Sequence, residues 1–474
     1  MKSQFASYDF HQPIFIRTLF FLFAFWVVSL NGEALEGAQI PQISPIDSLV
    51  YQLVLKSWVQ HPDLKAMESM ISADSARAVM LRGWMNPDLT LGIMDLPISG
   101  KLHQMEETAF RFGIMQKVPF PGKLKLASEW GIKAQNLTLS RWVRARYEMA
   151  GMVMMNFFDL MGAIGVKKVL KEEYELMKEM AESAQIMFAS GMGTLSDYQR
   201  ALFDVSFVSS KIVTQESLIQ RKLSLLIYAL GESQDRESLI PQTELPPPPD
   251  PKGLSLDSLL TGEVIENTPE VKVAFHYYQW TIQGLAKVRR DYYPDFNFMF
   301  TYDWRTYVNT PADGAPMNFP FALQPDTKKK LDDMIGLEVS VVVPLFYRRN
   351  QQAQIAEMQA MVREAEFGLQ DARIKKRDQI RQLYARWWEA HWRAEVALQQ
   401  LIPVAQGVWE ARMADYRGGR VDYMALQESG KMLIEAKMEA QMAVADAWMA
   451  RGLLLTSLGH PRVEGISDWE GRER

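Results

Sequence analysis

Two rhythms run along this chain. In short stretches apolar and polar residues alternate: Leu89, Leu91 and Ile93 are interleaved with Asp88, Thr90 and Gly92, and Phe110, Phe112 and Ile114 with Arg111, Gly113 and Met115. The pattern returns as Phe296, Phe298, Phe300 and Tyr302 among Asn297, Met299, Thr301 and Asp303, then as Leu337, Val339, Val341 and Val343 among Glu338, Ser340 and Val342. Period two with one apolar face predicts strands, here at about 87–95, 109–118, 294–304 and 334–343. Between them lie polar, turn-rich segments, Ile98 to Glu107 and Arg305 to Asp332, which read as loops. The second rhythm is a heptad seam, Leu170, Tyr174, Met177, Ala181, Ala184 and Phe188. Its counterpart is Leu398, Ile402, Ala405, Trp409, Arg412 and Tyr416. Helices are expected at about 122–190, 194–230, 347–417 and 421–458, broken by no proline except Pro403 in the two longest.

The two rhythms are written twice. His61-Pro-Asp-Leu-Lys returns as Thr268-Pro-Glu-Val-Lys, and Asn86-Pro-Asp-Leu-Thr-Leu as Tyr293-Pro-Asp-Phe-Asn-Phe, both at an offset of 207. Gln116-Lys-Val-Pro-Phe matches Val341-Val-Val-Pro-Leu at 225. Phe188-Ala-Ser-Gly matches Tyr416-Arg-Gly-Gly, and Leu230-Gly matches Leu458-Gly, at 228. A period this long is a duplicated domain rather than a solenoid. The organisation read from this is a leader at 1–38, a first repeat at 39–231, a proline-rich linker at 232–256, a second repeat at 257–459 and a polar tail at 460–474. The fold class is mainly α with a transmembrane β element.

Composition narrows the rest. Lys2 and Arg17 precede the apolar run Leu19 to Leu30, and small residues follow it; this reads as a secretory signal, too short for a span. There is no cysteine, hence no disulfide, thiol chemistry or N-terminal lipid anchor on a cysteine. A net charge of -5 argues against nucleic acid. The apolar stretch Met149 to Val166 contains Asn156 and Asp159, which suits a helix facing protein rather than lipid. Six scattered histidines offer no HExxH spacing, and His61, ahead of Pro62, reads as a helix cap. The 28 methionines fall among Leu and Ala at helical spacings, as gap-fillers rather than a copper or silver site. No catalytic residue, cofactor or metal site is expected.

Four strands do not close a barrel, and an open edge leaves unpaired backbone groups in lipid. Three chains give twelve strands, the smallest multiple here that leaves a lumen. The order signal, strand pair, long hairpin, repeated, resembles the TolC-like outer-membrane efflux family over about residues 40 to 460. The resemblance rests on HPDLKA with NPDLTLG, on Gln116 to Lys123, and on the turns at Phe188/Gly191 and Tyr416/Gly419. It implies a homotrimer with a 12-stranded β-barrel in outer-membrane lipid and a 12-helix α-barrel crossing the periplasm. It also implies partners: a periplasmic adaptor, an inner-membrane pump, and a passive conduit in a tripartite efflux or type I secretion system rather than an enzyme. The VPFPGK run is closest to members paired with resistance-nodulation-division pumps, including exporters of metal cations.

The hairpin tips hold the candidate residues. Gly191 and Gly419 stand where each hairpin reverses, and with Thr194 and Asp422 they are the candidate adaptor-docking positions. By the resemblance, acids after the second turn constrict the entrance. Glu428 matches one such position; the other, three residues earlier, is Ala425, and Arg420 and Asp422 are the candidates to take its place. The alternative readings are a periplasmic adaptor and a coiled-coil structural protein, neither of which requires the duplication or the four alternating strands.

Overall fold

The computed structural model describes residues 45–96, 98, 108–231, 244–311, 326–341 and 349–459. The expected leader, the polar tail, most of the first strand-connecting loop, Pro344, His11, His103 and His460 lie outside the described residues.

Two helices come first among the described residues, α1 (Pro45–Gln60) and α2 (Pro62–Arg82). His61 between them caps α2, its Nδ1 accepting from the Asp63 amide at 3.3 Å, and Pro62 takes the first turn, where no amide is needed. Strands β1 (Asp88–Met94) and β2 (Ala109–Val118) follow, then the 67-residue α3 (Lys123–Ala189) and its return α4 (Leu195–Leu230). The second half repeats this order. It has short helices α5 (Leu256–Leu259) and α6 (Gly262–Asn267), then α7 (Pro269–Asp291) and β3 (Phe296–Arg305). After these come β4 (Tyr307–Pro311), β5 (Asp326–Lys330), β6 (Met334–Val341), α8 (Gln351–Val396), α9 (Ile402–Arg417) and α10 (Tyr423–Ser457).

The helices lie side by side. Toward the tips the order is α4, α3, α10, α9; toward the sheet it is α2, α3, α7, α8. Alanine, glycine and methionine line the contacts because close approach requires small or pliable side chains. Ala150, Val153, Met154, Phe157, Leu160 and Met161 of α3 are buried with Val54, Leu223, Leu226 and Ala443. The apolar stretch 149–166 therefore faces other helices, with Asn156 donating to the Leu225 carbonyl and Asp159 paired to Lys222.

Four features depart from the sequence reading. The loop expected over 305–332 contains the β4–β5 ribbon. The helix expected over 347–417 is interrupted by a π turn, Ala397–Leu401, because Pro403 has no amide hydrogen and its ring crowds the carbonyl four residues back. The extra residue displaces the seam ahead of it, so Ala397 is buried and Leu398 faces out; beyond it Ala405, Trp409 and Tyr416 are buried as expected, with Met413 in the place of Arg412. In α3 the seam runs through Met187 and leaves Phe188 exposed. Finally, residues 244–254 of the linker are strapped to the helices: Trp448 and Trp387 donate to the carbonyls of Pro246 and Pro249, and Tyr384 to that of Leu254. Proline segments lack amide donors but keep free carbonyls, which these indole and phenol groups satisfy.

Candidate functional site

Two regions carry the features expected of a conduit: the sheet and the hairpin tips.

The sheet has the order β1-β2-β3-β6, all antiparallel. Its register aligns Leu89, Leu91 and Ile93 with Ile114, Phe112 and Phe110, then with Phe300, Tyr302 and Trp304, and onward with Leu337 and Ile335. Side chains alternate across a strand, so all of these share one face. That face is bare, with Leu337 83% and Leu89 76% exposed. The opposite face carries polar, small and methionine side chains. Across it run Thr90, Gly113, Thr301 and Gly336 in one row, and Gly92, Arg111, Asp303 and Met334 in the next. Arg111 donates two hydrogen bonds to Asp303, both 2.7 Å, joining a strand of the first repeat to one of the second. This forked, charge-assisted pairing fixes two planes at once. The outer sides of β1 and β6 have no strand partner among the described residues.

The outermost helices of the layer are also bare on one side. Phe203, Phe207, Val213 and Leu225 of α4 are exposed, as are Phe367 and Ile374 of α8 and Val404 and Val408 of α9. Phe203 and Phe207 stack one turn apart at 6.0 Å, and exposed apolar rows of this kind mark contact surfaces.

At the tips the two repeats use the same devices. Gly191 (φ 75°) and Gly419 (φ 69°) adopt the left-handed conformation that ends each long helix. Met192 N–H donates to Met187 O and Arg420 N–H to Asp415 O, each at 2.9 Å. Thr194 then caps α4 by accepting from the Asp197 amide at 3.1 Å, while the Asp197 carboxylate accepts from the Thr194 hydroxyl and amide. Asp422 caps α10, accepting from the Ala425 amide at 2.9 Å. Ala425 stands where the first repeat has Asp197, so only the first tip has a reciprocal capping box. Arg420 pairs with Asp415 at 3.1 Å, and Arg417 reaches Glu179 on α3 at 2.8 Å. Glu428 lies exposed on α10 between Met424 and Met432, with no ion partner among the described residues.

Sequence reasoning missed the network beneath the tips. Tyr423 is fully buried and donates its phenol to Asp204 of α4 at 3.0 Å; the Gln427 amide donates to the same carboxylate. Burial first, and the Asp204 charge second, push the Tyr423 phenol well above the ordinary tyrosine range. Tyr416 stands edge-on to Tyr423 at 6.2 Å. The one sequence signal was the pair of tyrosines flanking Gly419.

By sequence, no protein-family model matches the chain, and no curated protein matches it either. Solved structures do match. The outer membrane protein VceC from Vibrio cholerae aligns with a TM-score of 0.70 at 13% identity, over 88% of this chain and 97% of that one. The Campylobacter jejuni CmeC outer membrane channel aligns with a TM-score of 0.66 at 12% identity, over 88% and 87%. The open state of the Neisseria gonorrhoeae MtrE outer membrane channel aligns at 0.65 and 11%, over 87% and 89%. Strand pairs, long hairpins and their duplication thus recur over nearly the whole length of these proteins, and the chain has the fold of the TolC-like outer-membrane channels.

Proposed function

We propose that this chain is the outer-membrane channel subunit of an export system, a passive conduit and not an enzyme, built as a homotrimer. The observation that carries the reading is the bare apolar face of the sheet together with the two unpaired edges of β1 and β6. In lipid the face is satisfied by acyl chains, but an open edge is not, because each unpaired backbone group in hydrocarbon costs several kcal/mol. Pairing β1 of one chain with β6 of the next satisfies both edges, and three copies close twelve strands around a lumen. The bare stripes of α4, α8 and α9 meet in the same ring, giving twelve helices. The polar face, with the Arg111–Asp303 pair, then lines the pore.

The organisation into a leader, two repeats and a linker belongs to the same reading, as does placement in the outer membrane with a periplasmic extension. The tips, with Gly191, Thr194, Gly419 and Asp422 at their surface, dock a periplasmic adaptor that couples the channel to an inner-membrane pump of the resistance-nodulation-division type. Glu428, with Arg420 and Asp422 nearby, lines the entrance there. Glu428→Ala is expected to change conductance or cation preference in planar bilayers; currents unchanged in both would remove Glu428 from the aperture.

Fractionation of cells expressing the full chain tests the reading as a whole. Outer-membrane material that needs detergent for release and migrates as a trimer supports it. A soluble periplasmic monomer would overturn it in favour of an adaptor or coiled-coil scaffold.

A further inference from the structure

The pore face of the sheet carries charge of opposite sign at its two ends. At the helix end, Asp88, Met115, Met299 and Glu338 form one transverse row. Both carboxylates are exposed, and neither has an ion partner among the described residues. Nearer the helices, Lys117 and Lys123 share the Asp295 carboxylate, at 3.5 and 2.7 Å. In the middle, Arg111 and Asp303 cancel.

The far end is set by the β4–β5 ribbon. Asp303 pairs with Met334 and Tyr307 with Lys330, so each strand advances four residues and the register is continuous from β3–β6 into the ribbon. Odd positions of the outgoing strand and even positions of the returning one therefore stay on the pore face. Lys328 lying over the Tyr307 ring at 4.7 Å agrees with this assignment. By register, three bases, Arg305, Lys328 and Lys330, share the pore face with two acids, Asp332 and Asp326, which leaves the bases in excess, while Lys329 falls on the other side. Asp333, near Lys330, is on the apolar face and is engaged by the Tyr302 hydroxyl and the Arg305 amide.

We propose that this polarity makes the pore rectify, with Asp88 and Glu338 favouring cations at the helix end and Lys328 and Lys330 favouring anions at the outer end. The inference rests on the channel reading. Rings of acidic side chains enrich cations and rings of basic ones enrich anions. When the helix side is positive, cations enter through the acidic zone and anions through the basic zone, and both accumulate in the pore. With the opposite sign both zones are depleted. Current is therefore larger with the helix side positive.

The test is current–voltage recording of the full-length protein inserted from one side of a planar bilayer. The expected rectification ratio is about two or more at 0.1 M KCl, falling toward one at 1 M as the screening length drops from about 10 Å to about 3 Å. Lys328→Gln/Lys330→Gln and Asp88→Asn/Glu338→Gln should each straighten the curve, and Lys329→Gln should leave it bent. A straight wild-type curve at 0.1 M, or an equal effect of Lys329→Gln, overturns the proposal and leaves the channel standing. No conductance from the wild type overturns the channel itself.

Discussion

The Lys376 ammonium has 1% of its side chain exposed, 2.8 Å from Glu270 and 3.2 Å from the Gln379 amide oxygen. Burial holds its pKa below the ordinary lysine value of 10.5, with Glu270 opposing. A folded state that binds a proton less tightly than the unfolded chain becomes more stable as pH rises through the depressed folded value toward the unfolded one. Removing Lys376 alone leaves Glu270 unpaired but a third exposed, so the cost at neutral pH should fall below the ~3–5 kcal/mol of a fully buried pair, whereas Lys376→Met/Glu270→Met should be close to neutral or stabilising. Unfolding midpoints at pH 7 and 10.5 check both points: the wild type should gain on the double variant as pH rises. At the tip, Thr194→Ala should lose about 1 kcal/mol of cap energy. Hydrogen exchange should then speed up over the first turn of α4, and unchanged exchange would show the cap to be idle. Left-handed turns are local, so Gly191 and Gly419 were legible in the sequence, whereas Thr194 and Asp422 were singled out as tip positions and not as caps. The Tyr423–Asp204 bond joins positions 219 residues apart, and no local pattern announces it.

At the scale of elements, the alternation at Leu89–Ile93 and Phe296–Tyr302 was legible because a bare apolar face demands it at every second position. The helical seam was legible at Leu170, Met177, Ala181, Ala184, Ala405, Trp409 and Tyr416, all buried, and missed only near the breaks. The π turn before Pro403 moves it from Leu398 to Ala397, and Phe188 lost its place to Met187. The ribbon was hidden because Lys328 to Lys330 read as a solvated charge run. Two predictions belong here. Leu337→Arg, at the most exposed point of the apolar face, should cost about 2–4 kcal/mol of barrel stability in lipid and much less in a soluble setting; a shift in the unfolding midpoint in vesicles measures it. Phe203→Asp/Phe207→Asp, which places charges in the bare stripe of α4, should convert the trimer to monomer in size-exclusion chromatography. A trimer that survives would mean the α4 stripe faces something other than a second copy.

At the scale of the molecule, the duplication explains why one short sheet and one helical layer serve a large structure. Each repeat supplies a strand pair and a hairpin, and the Arg111–Asp303 pair joins the two strand pairs. A helix of 67 residues spans about 100 Å, further than a compact domain needs. The central claim is that three such chains close into one tube, and electron microscopy of the full-length protein, extracted in detergent, tests it most directly. The account predicts three-fold particles with a short barrel continued by a helical extension of about 100 Å. Monomeric particles, or a closed ring with any number of chains other than three, would contradict it.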